Sequence, residues 1–145
     1  MTSLLFSHIL SMKKSPISST VDFEKDGVKH GYLKLPHSHD DSAWGSIVIP
    51  ITVAKNGKGP TILFTGANHG DEYEGPIALF DLANQIKKDE ISGRVIIIPG
   101  MNYPAFKAGK RTSPIDGCNM NRVFPGNPEG TFLSLIHISE PTRPY

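Results

Sequence analysis

The sequence predicts an α/β domain, and three observations carry that expectation. TILFT at 61–65 and RVIIIP at 94–99 are short apolar runs of the strand type. Between them, from Pro76 onward, Ile77, Leu79, Phe80, Leu82, Ala83 and Ile86 recur at helical spacing, with Asp81, Asn84, Gln85, Lys87 and Lys88 mostly on the other side. Strand, loop, helix and strand in this order form a βαβ unit, the building block of α/β folds.

The elements follow along the chain. Val28 to Leu35 alternates enough for a short strand, ended by Pro36 and the polar loop HSHDDS. GSIVIPITVA at 45–54 is a stronger, β-branched strand, and Pro50 within it argues for an edge position or a bulge, because proline cannot donate to a sheet ladder. NGKG at 56–59 is a turn, and TILFT reads as a strand of the buried sort. Pro76 suits the first turn of the helix, and Asp71, Glu72 and Glu74 place negative charge near its positive end. Beyond Gly100 the chain is rich in Gly, Pro, Asn and Asp and reads as one long irregular loop. It follows the carboxyl end of a parallel strand, where α/β proteins bind ligands, so its Arg and Asn content favours function.

Size and composition restrict the function classes. A chain of 145 residues, 38% hydrophobic and 20% charged, suffices for a single core and not for two complete domains. A net charge of +1 provides no basic face for nucleic acid or an anionic membrane, which leaves a small molecule as the expected partner. Cys118 is the single cysteine and cannot form an internal disulfide, so the cytoplasm is the expected compartment. Residues 1–20 read as a disordered lead-in with a natural start near Met12; MTSLLFSHIL has neither the charge nor the apolar length of a signal peptide or membrane span. Residues 21–132 form the expected domain. LSLIHISEPTRP at 133–144 matches one reading frame of a common transposon-type sequencing-library adapter, so 133–145 is expected to be a non-native tail and His137 no ligand.

The candidate chemistry sits in GANHGDEYEGP, Gly66 to Pro76, which joins a buried strand to the helix. His69 and Glu72 can converge on one ion from a tight turn, with Gly70 allowing the sharp bend and Gly66 keeping the approach open. HxxE alone is common, and the plainer reading makes His69 a loop residue and Glu72 a complement to the helix dipole. The segment also differs from HExxH, in which the glutamate is a base; here Glu72 is better read as a ligand.

GANHGDEYEGPIAL, then MNYPAF, then CNMNRVFPG resemble, in the same order, the metal motif and the later N-P and NR-F-PG segments of the succinylglutamate desuccinylase/aspartoacylase family. The resemblance covers roughly Val21 to Thr131. Within the family, DGVKHGYLKLP, DDSAWG, TGANHGDEYEGP and RTSPIDGCNMNRVFPG are most similar to the branch that acts on N-acetyl-2,4-diaminobutyrate in ectoine degradation. It implies the amino-terminal part of a zinc-carboxypeptidase-like α/β/α fold with a mixed sheet. It also implies hydrolysis of the amide bond of an N-acyl amino acid, one Zn2+ per full-length subunit, His69 and Glu72 as metal ligands, and Asn121 with Arg122 as contacts for the substrate carboxylate.

Arg111 is implied as the second arginine, polarising the scissile carbonyl, although its spacing to Arg122 is longer than in the aspartoacylase branch and Lys110 competes for the role. That branch reads DLNR where this chain reads NMNR. The third ligand, a histidine after a further strand, and the downstream glutamate base do not occur before Phe132, so the chain alone is expected to be inactive. The resemblance leaves an oligomer open, and a related deacylase, a zinc carboxypeptidase or a non-catalytic metal- or amino-acid-binding domain stand as alternatives.

Other residues have plainer readings. His37 and His39 beside Asp40 and Asp41 read as a polar loop near the site rim, since flexible neighbours without a distant partner rarely fix metal geometry. Tyr73 and Tyr103 read as packing residues, Cys118 as an inert thiol, Trp44 as a core residue or pocket wall, and Lys87-Lys88 as a solvated helix end.

Overall fold

The computed structural model describes residues 15–40, 45–127 and 129–138, excluding the side chains of 137 and 138. The expectations for residues 1–14, Asp41, Trp44, His137 and 139–145 lie outside these. Five strands, β1 (Ser18–Ser19), β2 (Gly27–Pro36), β3 (Ser46–Asn56), β4 (Thr61–Thr65) and β5 (Gly93–Ile98), form one mixed sheet in the order β1-β2-β3-β5-β4. Among the described residues, three α-helices accompany it: α1 (Glu74–Gln85), α2 (Tyr103–Ala108) and α3 (Phe132–Ile138). The α/β expectation holds, and β4 and β5 are parallel across α1, as the βαβ reading requires.

Side-chain alternation sorts the sheet into two faces. Leu33 and Leu35 of β2, Ile49, Ile51 and Val53 of β3, and Ile96 and Ile98 of β5 share one face and form the core with Met101, Met120, Leu133 and Ile136. Ile97 and the opposed Thr52 point to the other face, where Phe80 and Ala83 of α1 border a cleft over Thr52. α3 with Met101 and Met120 therefore packs on one face of the sheet, and α1 borders the other.

Several expectations change. Pro50 lies neither on an edge strand nor at a bulge: the β2–β3 register runs without interruption from Gly27↔Lys55 to Pro36↔Ser46. The ladder to β5 begins only at Thr52, so on that side Pro50 has no partner strand to which an N–H would be owed. Within the lead-in expected over 1–20, the described part is structured: Ser18 and Ser19 pair with Lys34 and Leu33, while Ile17 and, just beyond, Val21 pack on the core.

β4 is not buried. It is an edge strand, with Ile62 49% and Phe64 40% exposed. α1 begins at Glu74 and holds Pro76 in its first turn, but it buries only Pro76 and Ala83, while Ile77, Phe80 and Leu82 stay exposed. Its apolar residues span more of the circumference than one stripe, and the described residues cover only part of it.

The segment beyond Gly100 is also less irregular than expected. Asn102 caps α2 by accepting Ala105 N–H, Pro104 lies in the first turn, and Gly109 ends the helix at φ 60°. A 3₁₀ turn at Met120–Arg122 follows, capped by Asn119.

Candidate functional site

The strand-to-helix loop is suspended from the neighbouring strand. Gly66 N–H donates to Ile98 O at 3.0 Å, Met101 N–H to Gly66 O at 2.8 Å, and Asn102 N–H to Ala67 O at 3.1 Å. These bonds tie the ends of β4 and β5 together and carry the chain into the turn that holds His69. The two glycines serve close approach, whereas the bend falls on Ala67. A Cβ on Gly66 would lie 2.5 Å from Pro99 O, and one on Gly70 2.0 Å from the carbonyl carbon of Ala105. Ala67 takes φ 51°, which is uncommon for a residue with a Cβ. The expectation that Gly70 supplies the sharp turn is corrected accordingly: its missing side chain admits the backbone of α2.

His69 is 4% exposed and uses both ring nitrogens. Nδ1 lies 2.8 Å from Glu72 Oε1, and Nε2 lies 3.1 Å from Asn119 Oδ1. Arg111 Nη1 approaches the same Glu72 oxygen at 3.2 Å. The hydrogen bond from His69, with a further one from Arg111, holds the Glu72 carboxyl below the usual carboxylate range, so it is ionised at neutral pH. Glu72 is thus drawn to His69 rather than to the helix end; Glu74 is the acidic residue in the first turn of α1.

Asn121 joins the same cluster. Its Nδ2 is 3.3 Å from His69 Nε2, and its Oδ1 is 3.4 Å from Asn68 Nδ2. Arg122 follows on the 3₁₀ turn and is exposed. Residues far apart in sequence, His69 and Glu72 on one loop and Asn121 on the other, therefore meet at one point. Of the two basic residues considered for the second position, Arg111 reaches Glu72, while the backbone N–H of Lys110 caps α2 on Ala105 O. Asn68 and Asn119 belong to the cluster and were not among the sequence candidates. NMNR carries a visible signal for Asn119, since Asn just before a turn is a favoured cap.

A nitrogen and a carboxylate oxygen converging at 2.8 Å are a donor pair of the kind zinc takes, and they fit two positions of a metal site. Among the described residues no group of three or more His, Cys, Asp or Glu side chains could hold a metal ion. His37 packs its ring near His39 and Phe132, at 5.8 and 5.4 Å between centroids. Tyr73 and Tyr103 both pack on Phe106, and Cys118 Sγ lies 3.6 Å from Asp116 O.

The catalytic-domain profile of the succinylglutamate desuccinylase/aspartoacylase family matches residues 58–140, more than half of the chain. The chain belongs to this family. A curated relative, the N-alpha-acetyl-L-2,4-diaminobutyric acid deacetylase of Halomonas elongata, is 61% identical over 124 residues, which is 86% of this chain and 36% of the relative. Among solved structures, the product-bound ectoine utilization protein EutE (DoeB) of Ruegeria pomeroyi superposes with a TM-score of 0.84 at 62% identity, over 87% of this chain and 39% of that one. A succinylglutamate desuccinylase of Silicibacter sp. TM1040 gives 0.84 at 60% identity, over 88% and 39%. The chain thus spans little more than a third of the length of these family members. No helix among the described residues is long and apolar enough to cross a membrane.

Proposed function

We propose that this chain is the amino-terminal part of a zinc-dependent amidohydrolase that deacylates an N-acyl amino acid, with N-acetyl-2,4-diaminobutyrate as its substrate. The convergence of His69 Nδ1 and Glu72 Oε1 at 2.8 Å, with Arg111 and Asn121 beside them, is the observation that carries this reading. The identity to the Halomonas elongata deacetylase supports the substrate.

Zinc, when bound by His69, Glu72 and a third ligand from the remaining length of the protein, would supply Lewis-acid polarisation of the acyl carbonyl and an acidified water. The chain's own residues would do the rest of the positioning. Arg111, with its guanidinium already at the site, would donate to the carbonyl oxygen as negative charge develops there. One such donor contributes about 3 to 4 kcal/mol. Asn121 and Arg122 would bind the carboxylate of the amino acid, a task that the planar fork of arginine suits through two parallel hydrogen bonds. In the hydrolysis itself the oxygen of water bonds to the acyl carbon, the C–N bond breaks, and the amine leaves with a proton passed through a base outside this chain.

On this reading residues 1–132 work only as part of a longer cytoplasmic enzyme, and 133–145 derive from an adapter. Leu133 and Ile136 fill the core nonetheless, as burial of apolar surface is non-directional and accepts a fortuitous amphipathic segment. Resequencing the gene past Phe132 tests both points: a frame that closes without a later histidine ligand and glutamate removes the enzyme reading. Acetate release from N-acetyl-2,4-diaminobutyrate by the full-length protein tests the substrate. Release from another acyl amino acid or from a peptide would move the assignment to a related deacylase or carboxypeptidase.

A further inference from the structure

The connection from β3 to β4 contains the one Asn-Gly pair of the chain, Asn56-Gly57. Gly57 takes φ 64°, and a Cβ built on it would meet nothing within 4 Å, so no side chain shields the nitrogen of this residue. That pairing is chemically reactive. The Gly57 nitrogen can attack Asn56 Cγ: the N–Cγ bond forms, the Cγ–Nδ2 bond breaks, and Nδ2 leaves as ammonia with the proton given up by Gly57. Water then opens the resulting succinimide at either carbonyl and leaves aspartate or isoaspartate.

Contacts around the turn oppose this attack. The Gly27↔Lys55 pairing at the start of β2 brings Asp26 to the turn, where Gly57 N–H donates to both of its carboxylate oxygens, at 3.2 and 3.3 Å. Lys55 Nζ anchors the same carboxylate at 3.2 Å and donates to Gly57 O at 3.2 Å. Asn56 Nδ2, the nitrogen that would leave, donates to Ile91 O at 3.1 Å. To react, the Gly57 nitrogen must abandon its acceptor and lose its proton. A carboxylate beside it disfavours the negative charge that develops there.

We propose that Asn56-Gly57 is a spontaneous modification site of this protein, a succinimide-forming pair that the Asp26 carboxylate holds unreacted while the chain is folded. Its place in the sheet shows what the reaction would damage. Asn56 closes the β3–β5 ladder opposite Gly93, and isoaspartate adds a methylene to the backbone at that point. Either product also sets a carboxylate where an amide had donated to Ile91 O, acceptor against acceptor.

The full-length protein and its variants are aged at neutral pH, and conversion at Asn56 is followed by peptide mapping with mass spectrometry and an isoaspartate assay. A free peptide of residues 52–60 gives the unguarded rate. Wild type is expected to convert more slowly than the peptide. Asp26→Ala is expected to convert about 10- to 100-fold faster than wild type, the rate equivalent of a hydrogen bond to a charged group. Ile96→Val, a core truncation that lowers stability without touching the turn, should stay near the wild-type rate. An unchanged rate in Asp26→Ala would overturn the proposal, and so would a slower one, which would make the carboxylate a base for the attack. An equal acceleration in Ile96→Val, or a wild type as fast as the peptide, would overturn it as well. If Asp26→Ala does not fold, Asp26→Asn decides, since it keeps an acceptor but not the charge: faster conversion supports the proposal, and an unchanged or slower rate overturns it.

Discussion

Gly70 packs so closely on Ala105 that a Cβ there would lie 2.0 Å from a backbone carbonyl carbon. Neither backbone can yield without moving α2 or the loop that holds His69. Gly70→Ala is therefore expected to destabilise the chain by at least the 1 to 3 kcal/mol typical of overpacking, about, and to do so without any change of polarity. Gly75→Ala is the control: its added Cβ would meet only Gly66 Cα at 3.7 Å, and alanine favours the helix, so its effect should be neutral or stabilising. Urea denaturation midpoints of the two variants check the contrast.

In the full-length protein, His69→Ala and Glu72→Ala should each abolish stoichiometric zinc. Elemental analysis of the purified proteins measures this directly. Metal content equal to wild type in either variant would remove that residue from the ligand set.

Arg111 and Arg122 should separate kinetically. Arg122→Lys loses the two-pronged hydrogen bond to a carboxylate and should raise KM by about tenfold or more, as a charge-assisted hydrogen bond contributes about 1.5 to 3 kcal/mol. Arg111→Ala should lower kcat by about 100- to 1,000-fold, the usual effect of losing one oxyanion donor. Steady-state rates on the acyl amino acid test both, and an unaltered KM in Arg122→Lys would exclude it from carboxylate binding.

Asp26 provides a pH-dependent contribution remote from the site. Gly57 N–H donates to its carboxylate, and Lys55 Nζ lies 3.2 Å away; together they hold its carboxyl below the ordinary aspartate value. A depressed carboxyl stabilises the fold above its unfolded pKa, and that stability is lost as pH falls through the folded value. Asp26→Asn should accordingly be less stable than wild type at pH 7, with the gap closing towards pH 3. Melting temperatures across that range give the comparison, and a gap independent of pH would argue against an ionised Asp26 as its source.

How much of this was legible in the sequence depends on the range over which each signal acts. The βαβ unit was readable because Ile77 to Ile86 and RVIIIP carry their periodicity within a few residues. α2 was missed although Asn102, Pro104 and Gly109 spell a short capped helix, because a six-residue element shows too few repeats for a period to stand out. TILFT was misjudged because an apolar run reports only that a strand has something to bury, not whether the partner lies within the same stretch of chain. At the site, His69, Glu72, Arg111 and Asn121 were named from motif and resemblance, and the structure brings these four together. Asn119 escaped notice because its role depends on a contact across 50 positions. The positive φ of Ala67 was equally hidden, since Gly66 and Gly70 beside it are the residues that usually take such angles.

The outward-facing Ile62 and Phe64 on edge strand β4 predict self-association of the 145-residue chain. An unpaired apolar edge offers its free N–H and C=O groups to another copy. Phe64→Lys should shift the chain towards monomer, as read by sedimentation velocity. A wild-type chain already monomeric at high concentration would show that the edge is protected.

The bond between His69 and Asn119 also orders events in time. A chain leaves the ribosome amino end first, so the loop with His69 and Glu72 exists before the segment that will brace it has been made. Closing a contact across 50 positions costs loop entropy that local turns do not. The histidine therefore acquires its fixed orientation late, once residues 99–122 have docked, and an ion captured earlier would meet a ligand pair still free to rotate. On the proposed function, correct metal loading would be a product of completed folding and would not precede it.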